Sequence, residues 1–268
     1  MSAIPPGAIR VGIGGWTFEP WRNNFYPAGW PKDRELEYAG RQLSTIEINS
    51  TYYSSQKPAT FAKWRDSTPD DFVFSLKASR FATNRRVLAD AGESVQRFVA
   101  GGITELGAKL GPIVWQFAPT KHFDVADFAA FLALLPTQHQ GLPLRHALDV
   151  RHPSFKCSDY LALARRFGHA TVFTESDDYP AFADITGSLV YLRIMRTDSS
   201  RPDGCTAQAL AQLAACAQTW RDGQEPAGLP RIEPAPAPTA PRDVFVFFIG
   251  AAKEKAPAAA MALQRWLA

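Results

Sequence analysis

Nowhere in its 268 residues does the chain hold about 18 apolar residues in succession, the length a helix needs to cross a bilayer. No membrane span is expected. The opening MSAIPPGAIRVGIGG lacks a basic stretch followed by an apolar run, so no secretory signal is expected either. Cysteine is scarce. Cys157, Cys205 and Cys216 are odd in number, and no pair has Cys-x-x-Cys spacing. That argues against a disulfide framework or a zinc site. It makes the cytoplasm the expected compartment and each thiol a small buried or half-buried side chain. A dominant charge sign is also missing. The net charge of +3 permits a nucleic-acid partner without implying one. No His-Glu-x-x-His, Walker A or Gly-x-Ser-x-Gly sequence occurs. Gly12-Ile13-Gly14-Gly15 lacks the third glycine of a dinucleotide fingerprint.

What is present is material for a core: 46% hydrophobic residues and 21% charged, which excludes disorder for most of the chain. Eight β-like runs recur, RVGIGGW, STIEINST, FVFSLKA, PIVWQFAP, HALDVRH, ATVFTE, LVYLRIM and VFVFFIG. Their centres lie about 33 residues apart, the length of one strand–helix crossover. Between them, Leu36-Ala39-Gly40-Leu43, Tyr160-Leu163-Ala164-Phe167 and Leu210-Leu213-Ala214-Ala217 follow helical spacing. Asp124 and Ser158 are the expected helix N-caps. Eight strands alternating with helices predict an α/β fold, a single (β/α)8 TIM-type barrel over residues 1–268. The barrel is expected to be irregular around strands 6–8. SDDYPAFADITGS is too short for a helical crossover, and the proline-rich stretch at about 223–242 reads as a long loop before the last strand.

The informative signal is polar residues on strands. Alternate strand side chains face the barrel interior or the helices. Ile46 and Ile48 alternate with Glu47 and Asn49, Phe74 and Leu76 with Ser75 and Lys77, and Leu148 and Val150 with Asp149 and Arg151; Leu192 and Ile194 flank Arg193. The apolar set suits the helix side, which turns the polar set inward. Gln116 and Glu175 lie near two further strand ends, in less certain phase. Charge is costly to bury without partners, and a purely structural barrel interior is layered with branched aliphatics. The polar positions fall toward the C-terminal strand ends, where barrel active sites lie. The competing reading is a closed ion network in which the carboxylates only neutralise Lys77, Arg151 and Arg193.

The segment GGWTFEPWRNNFYPAGWP is rich in aromatics. Trp21, Phe25 and Trp30 read as a small satellite core, whereas Trp16 at a strand end and Tyr53 after the second strand suit a stacking wall. His152 adjoins the polar cluster, while His122, His139, His146 and His169 read as surface residues. Glu47, Asp149 and Glu175 would offer three oxygens to magnesium or manganese. Without a histidine set beside them no cofactor is predicted, and a divalent metal is the lesser reading.

With these residues in view, the sequence resembles the YecE-like family, domain of unknown function 72. The likeness runs through VGIGGWTFEPWRNNFYP, TIEINSTYY, FVFSLKASRFATNRRVL, PIVWQFAP and LDVRHPSF. It implies a TIM barrel and supplies no reaction. Its recurrent polar positions match Glu47, Asn49, Lys77, Gln116, Arg151, His152 and Arg193. Asn84, Asp149, the RIMRT stretch and the IGAAKEKAP end depart from the family pattern.

The functional expectation is a barrel enzyme with hydrolase or lyase/isomerase-type acid–base chemistry on a small anionic, phosphorylated or carbohydrate-like substrate. Glu47, Asp149 and His152 would be catalytic; Trp16, Asn49, Tyr53, Lys77, Gln116, Arg151 and Arg193 would bind. One alternative is a nucleic-acid protein, with Trp16, Tyr52 and Tyr53 stacking on bases and Arg80, Arg85 and Arg86 meeting phosphates. The other is a non-catalytic ligand-binding or interaction protein.

Overall fold

Period-two alternation in the sequence becomes eight parallel strands in the computed structural model, which describes residues 7–233 and 239–268. They are β1 (Ile9–Gly14), β2 (Thr45–Ile48), β3 (Val73–Lys77), β4 (Leu110–Gln116), β7 (His146–Asp149), β8 (Ala170–Glu175), β9 (Leu189–Ile194) and β10 (Asp243–Phe248). They close in the order β1-β10-β9-β8-β7-β4-β3-β2, an α/β barrel of TIM type. A small antiparallel hairpin, β5 (Gln138–His139) with β6 (Leu142–Pro143), was not expected. It turns at Gln140 and Gly141, both with positive φ, the conformation a two-residue hairpin requires.

Each strand sorts its residues into two cores. Ile46, Ile48, Leu76, Leu148 and Leu192 join the apolar layer under the helices. Val73, Val114, Ala147, Val172, Tyr191, Phe245 and Phe247 fill the barrel interior. Gly12 takes an interior position on β1 opposite Thr45 of β2. A β-carbon there would lie 1.8 Å from the Thr45 carbonyl oxygen, so only glycine allows the strands to pair.

The expected helices form as Glu35–Gln42, Ser158–Phe167 and Ala207–Arg221. Asp124 caps its helix by accepting the Asp127 N–H at 2.8 Å. At the other site the cap falls one residue earlier. Cys157 is extended, with φ −150 and ψ 159, and Ser158 is already helical. No helix forms between β8 and β9, as the short spacing predicted. Residues 234–238 of the proline-rich stretch lie outside the described residues. The part before them is tied down by Asp184, whose carboxylate accepts the N–H groups of Ile232 and Glu233.

Two histidines read as surface residues are instead buried. His146 starts β7, accepts the Trp115 indole N–H at 3.0 Å and lies 2.8 Å from the Pro136 carbonyl. His169 packs against it with ring centroids 5.0 Å apart. Burial pushes their pKa values down to about 4 and about 3, so both imidazoles are neutral core groups. Among the described residues no helix is long and apolar enough to cross a membrane.

Candidate functional site

The polar strand positions meet at the C-terminal end of the barrel, above the aromatic floor of Tyr191, Phe245 and Phe247. Arg193 of β9 is their centre. Its Nε donates to Glu47 Oε2 at 3.0 Å, and its Nη2 donates to Glu47 Oε1. Its Nη1 donates to Asp149 Oδ2 and to Gln116 Oε1, each at 2.8 Å. One guanidinium thus ties β2, β4, β7 and β9 together. Glu47 is 0% exposed and Arg193 1%. The Tyr191 hydroxyl donates to Glu47 Oε2 at 2.6 Å, and Ser75 Oγ lies 2.8 Å from that hydroxyl. Arg151 donates from Nε and Nη2 to Asp149 Oδ2 at 3.2 and 3.0 Å, and its guanidinium lies 4.3 Å from the Tyr179 ring centroid.

Burial by itself would raise the carboxyl pKa values. Arg193 overrides it and holds Glu47 low, with lesser help from Lys77 and Tyr191. At Asp149 burial is again opposed by Arg193, here with Arg151, and the carboxyl is held low. Both carboxylates are therefore ionised and committed to Arg193. Neither carboxylate is free of a guanidinium partner.

Lys77 is different. The last residue of β3, it is 8% exposed, and its Nζ lies 4.1 Å from the Tyr52 ring centroid. Its ammonium has no hydrogen bond or ion pair among the described residues. Desolvation, assisted by Arg193 and only partly opposed by Glu47, pushes its pKa down to about 8.

Beside this network a cavity of about 410 Å³ opens over the ends of β1, β2 and β10. Trp16, Asn49 and Tyr53 line it, together with Ser50 and Lys253. Asn49 joins the two regions by donating from Nδ2 to the Glu47 carbonyl at 3.3 Å. Gly14, Gly15 and Gly250 bring backbone to the cavity wall, and Gly15 and Gly250 take the positive φ values of +74 and +94. The Lys253 ammonium lies 4.5 Å from the Phe18 ring centroid and 5.5 Å from that of Trp21. Trp21 and Phe25 are buried, with Trp30 half-buried beside them, but they belong to the main apolar layer under the helices and not to a separate satellite core. The Trp21 indole N–H donates to the Lys253 carbonyl at 2.9 Å, so this packing also anchors the last loop to the first.

Two sequence-marked residues lie apart from the Arg193 network. His152 Nδ1 accepts the Ser154 N–H at 3.1 Å, and its ring packs on His122 at 3.8 Å. Glu175 shares the outward phase of Phe173 and lines a different cavity on the helix side of β8, with Leu192 and Trp220. The three-carboxylate metal set is therefore not assembled, because Glu175 is on the opposite face of the sheet. Tyr191 and Lys253 went unmarked in the sequence. Tyr191 shares inward parity with Arg193, a signal that was there to read. Lys253 lies after the last strand and carries no periodic signal.

Comparison with known proteins places this barrel. The UPF0759 protein YecE of Escherichia coli (strain K12) is 26% identical over 150 residues, 55% of this chain. The match spans 50% of that relative, about half its length. A DUF72 family protein from Thermotoga maritima has the same fold, with TM-score 0.73, 19% identity, and 97% of this chain and 99% of that one covered. Another, from Enterococcus faecalis, gives TM-score 0.68 at 17% identity, covering 97% and 95%. The family model described as "Protein of unknown function DUF72" matches residues 10–268, and the chain belongs to that family.

Proposed function

We propose that the protein is a barrel enzyme acting on a small anionic substrate, phosphorylated or carbohydrate-like, at the C-terminal barrel mouth. One observation carries this reading. The described lining of the 410 Å³ cavity includes the Lys253 ammonium, the Asn49 amide and hydroxyl groups, and no aspartate or glutamate. An anion there meets a cation and polar donors without carboxylate repulsion. Trp16 and Tyr53 offer faces for a sugar ring. Next door, the cationic side chains of Lys77, Arg151 and Arg193 outnumber the carboxylates of Glu47 and Asp149. In this reading Glu47 and Asp149 are positioning residues that fix Arg193, and the hydrolase or lyase/isomerase-type proton transfers fall to Lys77. His152, held by Ser154 and His122, shapes the rim. The chemistry is carried by the chain's own side chains, without a resident metal.

The test is thermal unfolding with inorganic phosphate and ribose 5-phosphate, against chloride at equal ionic strength. Both anions raise Tm in the wild type, and Lys253→Met loses the response. Equal Tm values in all three salts overturn the reading.

A second reading has its own support. Tyr53 and Phe81 are 60% and 59% exposed, and the Arg80 guanidinium lies 5.7 and 5.5 Å from their ring centroids. Such a platform suits stacked bases beside a phosphate. It requires single-stranded DNA affinity that falls steeply with salt. Absent or salt-independent retention in filter binding removes it.

A further inference from the structure

Lys77 is placed for more than holding an anion. A lysine at a barrel mouth ordinarily pairs with a carboxylate or projects into water. Here Glu47 and Asp149 are both turned to Arg193, and the Lys77 Nζ is left against the Tyr52 ring with three N–H donors and no acceptor. An ammonium with no acceptor among the described residues, on a side chain only 8% exposed and close to other cations, is pushed toward its neutral form, and a neutral lysine amine is a nucleophile. The depressed pKa of about 8 agrees with this placement. Arg151 supplies the complementary group. Asp149 takes its Nε and Nη2, while its Nη1 has no protein acceptor among the described residues.

We propose that the Lys77 amine forms an imine with a substrate that carries both a carbonyl and an anionic group, the anion held by Arg151. This rests on the anionic-ligand reading above and adds a second anion position to it, since Lys77 and Arg151 lie beside the Lys253 cavity and not in its lining. The Nζ lone pair attacks the carbonyl carbon, a C–N bond forms, and the carbonyl oxygen takes up a proton to give a carbinolamine. Loss of the nitrogen proton and of the oxygen as water then leaves the C=N bond. No oxidant or reductant takes part. Once formed, the imine draws electrons from the adjacent carbon, which is the chemistry that lyase- and isomerase-type reactions of such substrates use.

The intact wild-type protein is incubated near neutral pH with glyoxylate and sodium cyanoborohydride, which supplies hydride to trap C=N as a stable secondary amine. Adducts are mapped by peptide mass spectrometry. Lys77 is expected to be labelled at least about ten-fold faster than the exposed Lys32 and Lys57. Added inorganic phosphate slows labelling at Lys77 alone. Glycolaldehyde, a carbonyl without the negative charge, labels Lys77 more slowly than glyoxylate does. Adducts at Lys253, or at Lys32 and Lys57 without preference for Lys77, overturn the imine. If phosphate still raises Tm in that case, only the imine falls. If phosphate has no effect on Tm either, the anionic-ligand reading falls with it.

Discussion

Arg193 shows how a single side chain can hold a buried ion network spanning four strands. It is buried between two carboxylates, so its removal leaves both charges uncompensated in the interior. Arg193→Met is expected to destabilise the fold by about 3–5 kcal/mol in urea unfolding. Arg193→Lys recovers only part of this, because an ammonium lacks the planar fork that spans Glu47, Asp149 and Gln116. The pH dependence follows from the same contacts. Glu47 and Asp149 have depressed folded pKa values, so their contribution is complete above the unfolded carboxylate range near about 4. It is lost as pH falls through the lower folded values. Lys77 works in the other direction. Its folded pKa of about 8 is below the unfolded value, so between the two the unfolded chain binds more protons and stability rises with pH. The wild type should therefore gain stability relative to Lys77→Met from about pH 8 upward until the unfolded lysine has titrated. Parallel pH–stability curves for the two proteins would contradict the burial argument.

At the scale of elements, strand pairing and loop anchoring decide where these side chains point. β1 presents glycine where β2 comes closest, and β2 carries Glu47 and leads to Asn49. Gly12→Ala is expected to cost more than about 3 kcal/mol or to abolish soluble expression, since the clash is with backbone at Thr45 and no rotamer relieves it. The first and last loops form a second coupled unit. Trp21 is buried in the main apolar layer and its indole holds the Lys253 carbonyl. Trp21→Phe keeps the ring and removes that hydrogen bond, which should weaken the phosphate-induced Tm shift more than it lowers the basal Tm. The opposite order in thermal scans would show the contact to be purely structural. The burial of His146 and His169 belongs at this scale too. Single residues suggested surface groups, but β7 carries His146 into the layer beside Trp115.

For the whole molecule, barrel closure is what turns dispersed polar residues into a site. Glu47, Lys77, Gln116, Asp149 and Arg193 come from five strands, and parallel register brings their C-terminal ends to one rim. Under the proposed anionic-ligand reading, a ligand bound there would bridge several strands and stabilise the fold by mass action. At a hundred times its Kd that is about 2.7 kcal/mol, enough to raise Tm by several degrees in a chain of this size. Phosphate titrations should show that saturating rise in the wild type and in Glu175→Gln, whose substitution lies outside the barrel. Loss of the response in Glu175→Gln would move the ligand to the cavity on the helix side.

The sequence by itself determined the eight barrel strands, the inward phase of Glu47, Lys77, Asp149, Arg151 and Arg193, and the aromatic first loop, though not the small β5–β6 hairpin. These follow from period-two alternation and local composition, which need no knowledge of distant residues. Tertiary structure alone decided which ions pair. Arg193 takes both carboxylates because its fork reaches β2 and β7 at once. That leaves Lys77 without an ion-pair partner among the described residues and puts Lys253, far along the chain, at the mouth. Glu175 was ambiguous for the same reason. Its parity was visible, but which parity faces inward on β8 is set by pairing with β9. Pairing between distant segments depends on the closed ring, and no local stretch of sequence encodes it.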